Sequence, residues 1–234
     1  MSNFVAALFD SVAAGTRVAG RLLPQHCALC AAPCGHALVC AHCDRALPRL
    51  GPACPRCAMP MQGGVSCGKC LARPPPWDRA CAAFAYAFPL DRLLVAMKYR
   101  GVFAYADFLA DALSQSISHA PDIVVPLPLA PARQRERGFN QAAEIARRVA
   151  SHLRVPLVAA LARVRDTPAQ AALPWRERGR NVRGAFAALP AIQGKGVAIV
   201  DDVLTTGATL RAAARAAAAG GACSIDVWVV ARTL

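Results

Sequence analysis

The sequence predicts an α/β fold, in which a mostly parallel sheet with flanking helices follows a small cysteine-rich domain. Strand-like apolar runs alternate with helical segments from about residue 80 onward. One of these runs, residues 197–200, is apolar throughout and largely β-branched, as in strands buried on both faces of a parallel sheet. Upstream, Cys-x2-Cys pairs occur four times within residues 27–70. These observations predict two kinds of folding unit in one chain.

Length and composition set the size of these units. With 234 residues, 56% of them hydrophobic, the chain suffices for one sizeable domain and one small domain. No apolar run reaches the length of about eighteen residues that a membrane-spanning helix needs, so we expect no membrane span. Residues 4–23 lack the basic start of a secretory signal and contain Asp10 and Arg17, which favours an amphipathic helix. We therefore expect a cytoplasmic protein.

The chain is strongly basic, with a formal net charge of +13. If eight cysteine thiolates hold two Zn²⁺ ions, each site has a net charge of about −2, and the total falls to about +9. Most of the remaining surplus of Lys and Arg lies after residue 80. This surplus predicts an anionic partner for the second part of the chain.

The cysteines repeat the pattern C-x2-C-x9-C-x2-C at a constant offset of 27 residues. Thiolates at this spacing take adjacent corners of a tetrahedron, which predicts structural zinc sites in preference to disulfides or redox-active thiols. The predicted ligands are Cys27, Cys30, Cys40, Cys43, Cys54, Cys57, Cys67 and Cys70. Sequential pairing assigns the first four to one zinc ion and the last four to the other, and cross-braced pairing is the alternative. Four further candidates are expected to be bystanders, namely Cys34, His26, His36 and His42.

A proline-rich segment, residues 73–77, predicts a stiff linker between the two domains. The predicted organisation is an N-terminal amphipathic helix, a zinc-binding domain and the α/β domain, in residues 1–23, 24–76 and 77–234. The strands of the larger domain are expected at residues 80–88, 121–129, 156–163, 197–200 and 224–230. Its helices are expected at residues 89–98, 103–117, 139–153 and 210–219. The short connections around the last helix require a parallel pair of strands.

Two arginine-rich segments are expected at the carboxyl edge of the sheet. The first is a basic, glycine-containing loop after the strand at residues 121–129, with Arg133, Arg135, Arg137 and Gly138. A guanidinium group binds two oxygens at once, which suits polyphosphate. The second segment, residues 166–183, is polar and has little apolar periodicity. A polar segment of this length inside a folded domain is either a lid over a ligand or disordered, and we favour the lid.

Two acids and a glycine-containing loop follow the strand at residues 197–200. Asp201 and Asp202 come at the carboxyl end of this strand, where open α/β sheets bind their ligands. Hydroxyls and free backbone N–H groups at the start of the next helix suit a phosphate monoester, and they belong to Thr205, Thr206, Gly207, Ala208 and Thr209. The two acids are expected to hold ribose hydroxyls, directly or through a divalent ion. The chain contains neither a Walker A sequence nor GxGxxG, which argues against a kinase, an NTPase or a nicotinamide enzyme.

Residues 200–209 resemble the phosphoribosyl pyrophosphate (PRPP) motif of type I phosphoribosyltransferases. Further segments narrow the resemblance to the ComF family, also called GntX or ComFC-like. These segments are the four CxxC pairs, Lys98-Tyr99-Arg100-Gly101, Pro126-Leu127-Pro128, Arg137-Gly138-Phe139-Asn140-Gln141, Gln170, and Arg178 with Asn181-Val182. The resemblance extends from Cys27 to the C-terminus. It implies a double zinc ribbon joined to a type I phosphoribosyltransferase-like domain, and a role in natural competence, where incoming single-stranded DNA is handled.

The resemblance also implies roles for individual residues. The catalytic residues would be Asp201, Asp202 and Arg178, with both aspartates on the ribose hydroxyls and the loop around Arg178 closing over the leaving group. The 5-phosphate would bind to Thr205, Thr206, Gly207, Ala208 and Thr209. Lys98 and Arg137 would contact pyrophosphate, with Mg²⁺ neutralising part of its charge. Displacement at the ribose carbon needs a stabilised leaving group, so positioned cations matter more than a dedicated base.

Two functions from different classes agree with these residues. In the first, the protein binds PRPP or a nucleotide and takes part in handling incoming single-stranded DNA, with competence proteins such as the ComF-operon helicase as partners. In the second, it is a glycosyltransferase of nucleotide salvage that transfers ribose 5-phosphate from PRPP to an acceptor and releases pyrophosphate. Charge does not distinguish the two, because polyphosphate and DNA both attract arginine. The sequence leaves catalytic activity open.

Overall fold

The computed structural model describes residues 25–62, 65–165, 182 and 184–234. The chain divides into two compact units, Met1–Leu47 and Pro48–Leu234. The second cysteine group therefore belongs to the same unit as the sheet. The predicted N-terminal helix and nearly all of the predicted lid lie outside the described residues. The domain boundaries predicted at residues 23 and 76 stay predictions.

The first unit is organised around the first four cysteines. His26 and Pro33 form an isolated antiparallel bridge. Helix α1 (Ala41–Ala46) begins after Cys40, whose side chain accepts a hydrogen bond from the backbone N–H of Cys43. This sulfur therefore satisfies one of the free donors at the start of the helix, as an N-cap side chain does.

The second unit is built on parallel strands. Its described strands are β1 (Arg79–Ala85), β2 (Ile123–Pro126), β3 (Leu161–Arg163), β4 (Phe186–Ala188), β5 (Gly196–Leu204) and β6 (Ser224–Arg232). Four of them form one parallel sheet in the order β1-β6-β5-β2. Residues 197–200 of β5 are fully buried between two neighbouring strands. Because both faces of β5 are covered, its run of apolar residues is continuous rather than alternating.

Helices cover both faces of this sheet. The described helices are α2 (Gly68–Ala72), α3 (Leu90–Arg100), α4 (Ala104–Gln115), α5 (Pro131–Arg137), α6 (Gln141–Leu153) and α7 (Ala208–Ala219). α4 packs on α6, and α6 packs on β2 and β5. α7 connects β5 to β6 and contributes its buried residues to the core beside β5, namely Leu210, Ala213, Ala214 and Ala217. Among the described residues, no helix combines the length and the apolar character that crossing a membrane requires.

The strand predicted at residues 156–163 is wrong in its extent. Leu157 forms a single parallel bridge with Val124 on β2. β3 leaves the main sheet and pairs with β4 in an antiparallel two-stranded sheet. Pro156 has no backbone N–H to donate, which limits how far this segment extends the ladder. The consequence is that the residues before and after the predicted lid are held together by β3 and β4.

The basic loop predicted before α6 is also corrected, because most of it is helix α5. Pro131 lies at the first helical position, and Gly138 ends the helix with φ of 74°. This is the favourable order, with proline at the start and glycine in the left-handed conformation at the end. The arginines of this segment therefore project from a short helix.

Candidate functional site

Two adjacent acids lie near the carboxyl end of β5. Asp202 is buried, with 5% of its surface exposed, and Asp201 is half-buried. The Lys98 Nζ atom, at the end of α3, lies 2.5 Å from Asp202 Oδ2. Asp202 Oδ2 makes no hydrogen bond to the described residues besides this ion pair. The backbone N–H of Asp202 donates to Asp201 Oδ1 at 2.9 Å. The sequence-predicted Lys98 thus reaches the two acids from another element.

The two acids and Lys98 perturb one another electrostatically. Burial raises the pKa of Asp201 well above its usual range, and repulsion from Asp202 raises it further, although Lys98 acts in the opposite direction. Burial is the largest single effect on the pKa of Lys98 and acts to lower it, but the attraction and hydrogen bond of Asp202, together with the charge of Asp201, outweigh burial and raise this pKa. Lys98 therefore stays positively charged, whereas Asp201 retains a proton more readily than an exposed aspartate does.

A cavity of about 200 Å³ opens beside these acids. Its charged lining residues are Lys98, Arg133, Arg137, Arg163, Asp201 and Asp202. The structure therefore brings Lys98 and Arg137 together with the two acids. Four basic side chains against two acids give the cavity a positive surplus, which suits an anionic ligand with several phosphate oxygens.

Arg163 lines this cavity but is not among the residues predicted from the sequence. It ends β3, and its guanidinium group lies 5.4 Å from the centre of the Phe186 ring on β4. One arginine at the end of a three-residue strand gives no sequence signal. The pairing of β3 with β4 brings it to the cavity, and this pairing joins residues more than twenty positions apart in the chain.

The loop between β5 and α7 has the form expected of a phosphate-binding helix start. Gly207 has φ of 75° and is the N-cap of α7. A Cβ atom at this position would lie 3.3 Å from a methyl carbon of Leu204 and 3.4 Å from the Trp77 ring. The position therefore favours glycine on two counts. Thr206 Oγ1 accepts a hydrogen bond from the Ala208 N–H at 3.3 Å, so this hydroxyl stabilises the loop itself.

The remaining residues of this loop surround a small cavity of about 20 Å³. The cavity is lined by Asp201, Val203, Thr205, Gly207, Ala208, Thr209 and Leu210. Thr205 and Thr209 also line the larger cavity beside the acids. The structure thus places the predicted phosphate-binding residues next to the predicted ribose-binding acids. The Thr206 hydroxyl is the exception, because it is hydrogen-bonded within the loop.

The segment Arg137-Gly138-Phe139-Asn140-Gln141 holds Arg137 at the larger cavity. The Asn140 side chain caps α6 by accepting from the Ala142 N–H at 3.0 Å, and it donates to the Leu127 carbonyl at 3.0 Å. Gln141 is buried, and its Oε1 atom accepts a hydrogen bond from Arg137 Nη1 at 3.1 Å. The amide residues of this segment therefore position the arginine.

An open groove of about 580 Å³ shares Lys98 and Arg137 with the larger cavity. We call it the aromatic groove, because its other lining residues include Tyr99, Phe103 and Phe139, together with Arg100, Gly101, Glu136 and Gly138. Tyr99 is 69% exposed and Phe103 is 41% exposed. The Arg137 guanidinium lies 5.2 Å from the centre of the Tyr99 ring, and the Phe103 and Phe139 rings meet edge to face at 5.0 Å.

The eight predicted metal ligands form two groups in sequential order. One contains Cys27, Cys30, Cys40 and Cys43, and the other contains Cys54, Cys57, Cys67 and Cys70. Within each group the sulfur atoms lie within 4.8 Å of one another. The Cys30 and Cys40 sulfurs are 3.8 Å apart, and those of Cys57 and Cys67 are 3.7 Å apart. Four sulfurs about 2.3 Å from a tetrahedral zinc ion are separated by about 3.8 Å, so both groups fit structural zinc.

In each cysteine group, hydrogen bonds from backbone N–H groups favour the thiolate form of one cysteine. Burial acts to raise the pKa of Cys54, but hydrogen bonds from N–H groups, including that of Cys67, lower it to about 6. Cys27 has the same environment in the first group, and its pKa is also lowered to about 6. Thiolates are the metal-binding form of cysteine, so this arrangement favours zinc. Cys34, His26, His36 and His42 lie outside both groups.

Part of the predicted site lies outside the described residues. Arg178, Gln170 and Asn181 are in this part, so their roles stay predictions. The structure gives the positions and the mutual contacts of the described site residues. Their contacts with a ligand stay predictions.

Two protein-family models match the chain. A double zinc ribbon domain matches residues 18–71, and a phosphoribosyl transferase domain matches residues 136–233. The chain is 35% identical to DNA utilization protein YhgH of Escherichia coli (strain K12), covering 91% of this chain and 99% of that protein. It is 35% identical to YhgH of Salmonella typhi with the same coverage. It is 30% identical to Competence protein F of Haemophilus influenzae, covering 83% of this chain and 90% of that protein.

The order of the two matches agrees with the order of the two chemical features in the structure. The double zinc ribbon match contains all eight grouped cysteines, and the phosphoribosyl transferase match contains the acids of β5 and the loop that follows them. The relatives extend this agreement over most of the chain. The chain belongs to the ComF family, and it joins a double zinc ribbon to a phosphoribosyltransferase-like domain.

Proposed function

We propose that the protein binds PRPP in the cavity beside Asp201 and Asp202. The observation that carries this proposal is the juxtaposition of two acids, a glycine-containing helix start and four basic side chains around one cavity. A ribose that bears phosphate groups on both sides needs this combination of acceptors and cations. The match to a phosphoribosyl transferase domain supports the same ligand.

Each part of the cavity has a role in this proposal. Backbone N–H groups of residues 205–209 and the hydroxyls of Thr205 and Thr209 bind the 5-phosphate, at the positive end of the α7 dipole. Asp201 and Asp202 accept hydrogen bonds from the ribose hydroxyls, and their oxygens suit Mg²⁺, which would supply charge neutralisation to pyrophosphate. The pyrophosphate lies among the basic side chains, Lys98, Arg133, Arg137 and Arg163. Because Lys98 also neutralises Asp202, binding requires the ligand to share this lysine.

A calorimetric titration tests the proposed ligand. Wild-type protein with Mg²⁺ should release or absorb heat on addition of PRPP, and Asp201→Asn with Asp202→Asn should abolish this signal. Asp111→Asn is the matched control, because Asp111 is an exposed acid on α4 outside the cavity. Absence of binding to the folded wild-type protein, or equal binding by the double variant, would refute the proposal.

We further infer that the protein handles single-stranded DNA, and that the aromatic groove binds its bases. Unpaired bases stack on exposed aromatic rings, and neighbouring arginines neutralise the strand, which is the combination found in this groove. The names of the relatives, DNA utilization protein and Competence protein F, support this function over nucleotide salvage. By the same relation, we propose a cytoplasmic location and competence proteins, such as the ComF-operon helicase, as partners.

Binding of a fluorescent single-stranded oligonucleotide at low salt tests this second proposal. Stacking on aromatic side chains is worth about 1–3 kcal/mol per base, so Tyr99→Ala should weaken binding by about fivefold or more. Phe88→Ala is the matched control, because Phe88 is a 74% exposed aromatic residue that does not line the groove. Equal affinities of the two variants would contradict the assignment to the groove. A parallel assay for pyrophosphate release from PRPP, with oligonucleotides and free bases as acceptors, distinguishes a transferase from a binding protein.

A further inference from the structure

We infer that Arg232 and Trp77 are positioning residues that connect the second zinc knuckle to the phosphate loop. The second zinc knuckle is residues 54–57, which begins and ends with a metal-ligating cysteine, and the phosphate loop is residues 204–209. Both belong to the unit that contains the sheet. The inference rests on the proposed role of this loop in phosphate binding, and it assigns to the zinc ribbon a part in that binding.

Arg232 makes the first connection with one guanidinium group. Its Nε atom donates to the carbonyl of Cys57 at 3.0 Å. Its Nη1 atom donates to the carbonyls of Leu204 and Thr205, at 2.8 and 2.7 Å, and to that of Thr233 at 2.6 Å. A guanidinium group presents its donors in a fixed plane, so the knuckle carbonyl and the loop carbonyls are held at a fixed separation.

Trp77 makes the second connection, at Arg56 of the knuckle, the residue before Cys57. Its indole N–H donates to the carbonyl of Arg56 at 2.6 Å. The ring is buried and lies against Gly207, where an added Cβ atom would be 3.4 Å from it. The Arg211 guanidinium lies 5.3 Å from the ring centre. The Trp77 ring therefore packs under the phosphate loop, and its indole N–H is hydrogen-bonded to the knuckle.

These connections determine how the loop presents its N–H groups. In a planar trans peptide, the C=O and the following N–H point in opposite directions. Because Arg232 holds the carbonyls of Leu204 and Thr205, the N–H groups of Thr205 and Thr206 are directed away from Arg232. The loop is therefore oriented before a phosphate arrives, which reduces the ordering cost of binding.

The charge of the second cysteine group predicts how zinc affects this connection. The charges of Arg232 and Arg211 are attracted by the sulfurs of Cys57 and Cys70 when these are thiolates. A zinc ion with four thiolates has a net charge of about −2, whereas four protonated thiols are neutral. The metal-loaded knuckle therefore attracts Arg232 and supports the loop, and loss of metal weakens this support.

Amide hydrogen exchange of the ligand-free protein, followed at residues 204–209, tests the inference without any ligand. Arg232→Met removes the four hydrogen bonds, and exchange in this segment should accelerate by about tenfold, while PRPP affinity falls by about the same factor. The control is Arg215→Met, which removes the same charge from an exposed position on α7. This control should leave exchange and affinity unchanged. Trp77→Phe keeps a ring under Gly207 but loses the donor to Arg56, and it should act in the same direction as Arg232→Met.

The outcomes separate this inference from the proposed function. If Arg232→Met keeps its zinc and exchanges at the wild-type rate in residues 204–209, the connection is refuted. If wild-type protein binds no PRPP, the proposed function fails, and hydrogen exchange still decides on the connection. If Arg232→Met does not fold, Trp77→Phe decides by the same measurement, with unchanged exchange overturning the inference.

Discussion

Asp201 and Asp202 are adjacent in sequence, but the structure gives them different environments. Asp202 is buried against Lys98, whereas Asp201 lies half-buried beside the cavity and keeps a raised pKa. Both carboxylates line the cavity, and the ion pair with Lys98 is made by Asp202. Asp202 is thus ion-paired in the free protein, and under the proposed function both carboxylates bind the ribose hydroxyls once the ligand shares Lys98.

The raised pKa of Asp201 predicts that PRPP binding strengthens with increasing pH. The free protein holds a proton on Asp201 at pH values above about 3.9, the ordinary value of aspartate, and a ligand that needs the carboxylate must displace it. Affinity should therefore rise until the pH exceeds the raised pKa. The same carboxylate lowers folding stability as pH rises through that interval, because the folded state binds the proton more tightly. Titration calorimetry with PRPP at several pH values checks this prediction. The increase of affinity with pH should persist in Asp111→Asn and disappear in Asp201→Asn.

Loss of Lys98 should destabilise the folded protein. Lys98→Met leaves the Asp202 carboxylate buried without its ion-pair partner, which costs about 2 kcal/mol, less than for a fully buried pair because the Lys98 side chain is 21% exposed. Urea unfolding measures the loss. Lys98→Met combined with Asp202→Asn should regain most of it, and additive losses would argue against the pair.

At the scale of elements, α7 is closely fitted to its neighbours at both ends. Gly207 begins the helix against Trp77, and Gly220 ends it against β4. Between them, the buried positions of α7 include Ala213, Ala214 and Ala217, whose small side chains let the helix lie close to the sheet. The position of the phosphate loop therefore depends on tight packing along the whole helix.

Gly220→Ala should be strongly destabilising for a substitution of one methyl group. An added Cβ atom would lie 2.3 Å from the Cβ atom of Ala188, so the helix end and β4 must separate. Overpacking of this kind costs about 1–3 kcal/mol. Gly51→Ala is the control, because nothing lies within 4 Å of its added Cβ atom. Denaturant unfolding should separate the two variants, and equal midpoints would mean that β4 moves at little cost.

At the scale of the whole molecule, the second cysteine group and the cavity beside Asp201 and Asp202 belong to the same structural unit. The first cysteine group lies in the unit of residues 1–47, and the second lies in the unit that contains the sheet and the cavity. Backbone carbonyls of the second group are hydrogen-bonded by residues of the sheet unit, as Trp77 and Arg232 show. Metal at the second site therefore contributes to the stability of the phosphoribosyltransferase-like unit.

The two zinc sites should differ in their effect on this unit. Metal analysis should give two zinc ions per chain in the wild type and one in either Cys43→Ser or Cys70→Ser. Cys70→Ser should lower the temperature of the main unfolding transition in calorimetry, because its cysteine group belongs to the unit that contains the sheet. Cys43→Ser should leave that transition near its wild-type temperature, and an equal decrease in both variants would contradict the assignment of the groups.

The sequence alone indicated the features that depend on local spacing. Cysteines two residues apart predict the metal groups, and two acids before a glycine-containing helix start predict the phosphate and ribose sites. These features were recognisable because tetrahedral zinc and a helix N-terminus each need their residues close together in the chain. The sequence also suggested Arg137, through the basic loop that follows a strand, and Lys98, through resemblance to a family.

Contacts between distant residues were decided only by the tertiary structure. The ion pair of Lys98 with Asp202, the place of Arg163 at the cavity and the bridge of Arg232 to Cys57 each join residues far apart in sequence. An arginine has the same local pattern whether it faces solvent or a carbonyl, so spacing carries no signal for such contacts. The sequence determined which chemistry the protein possesses, and packing of the sheet, α7 and the second knuckle decided which side chains share one site.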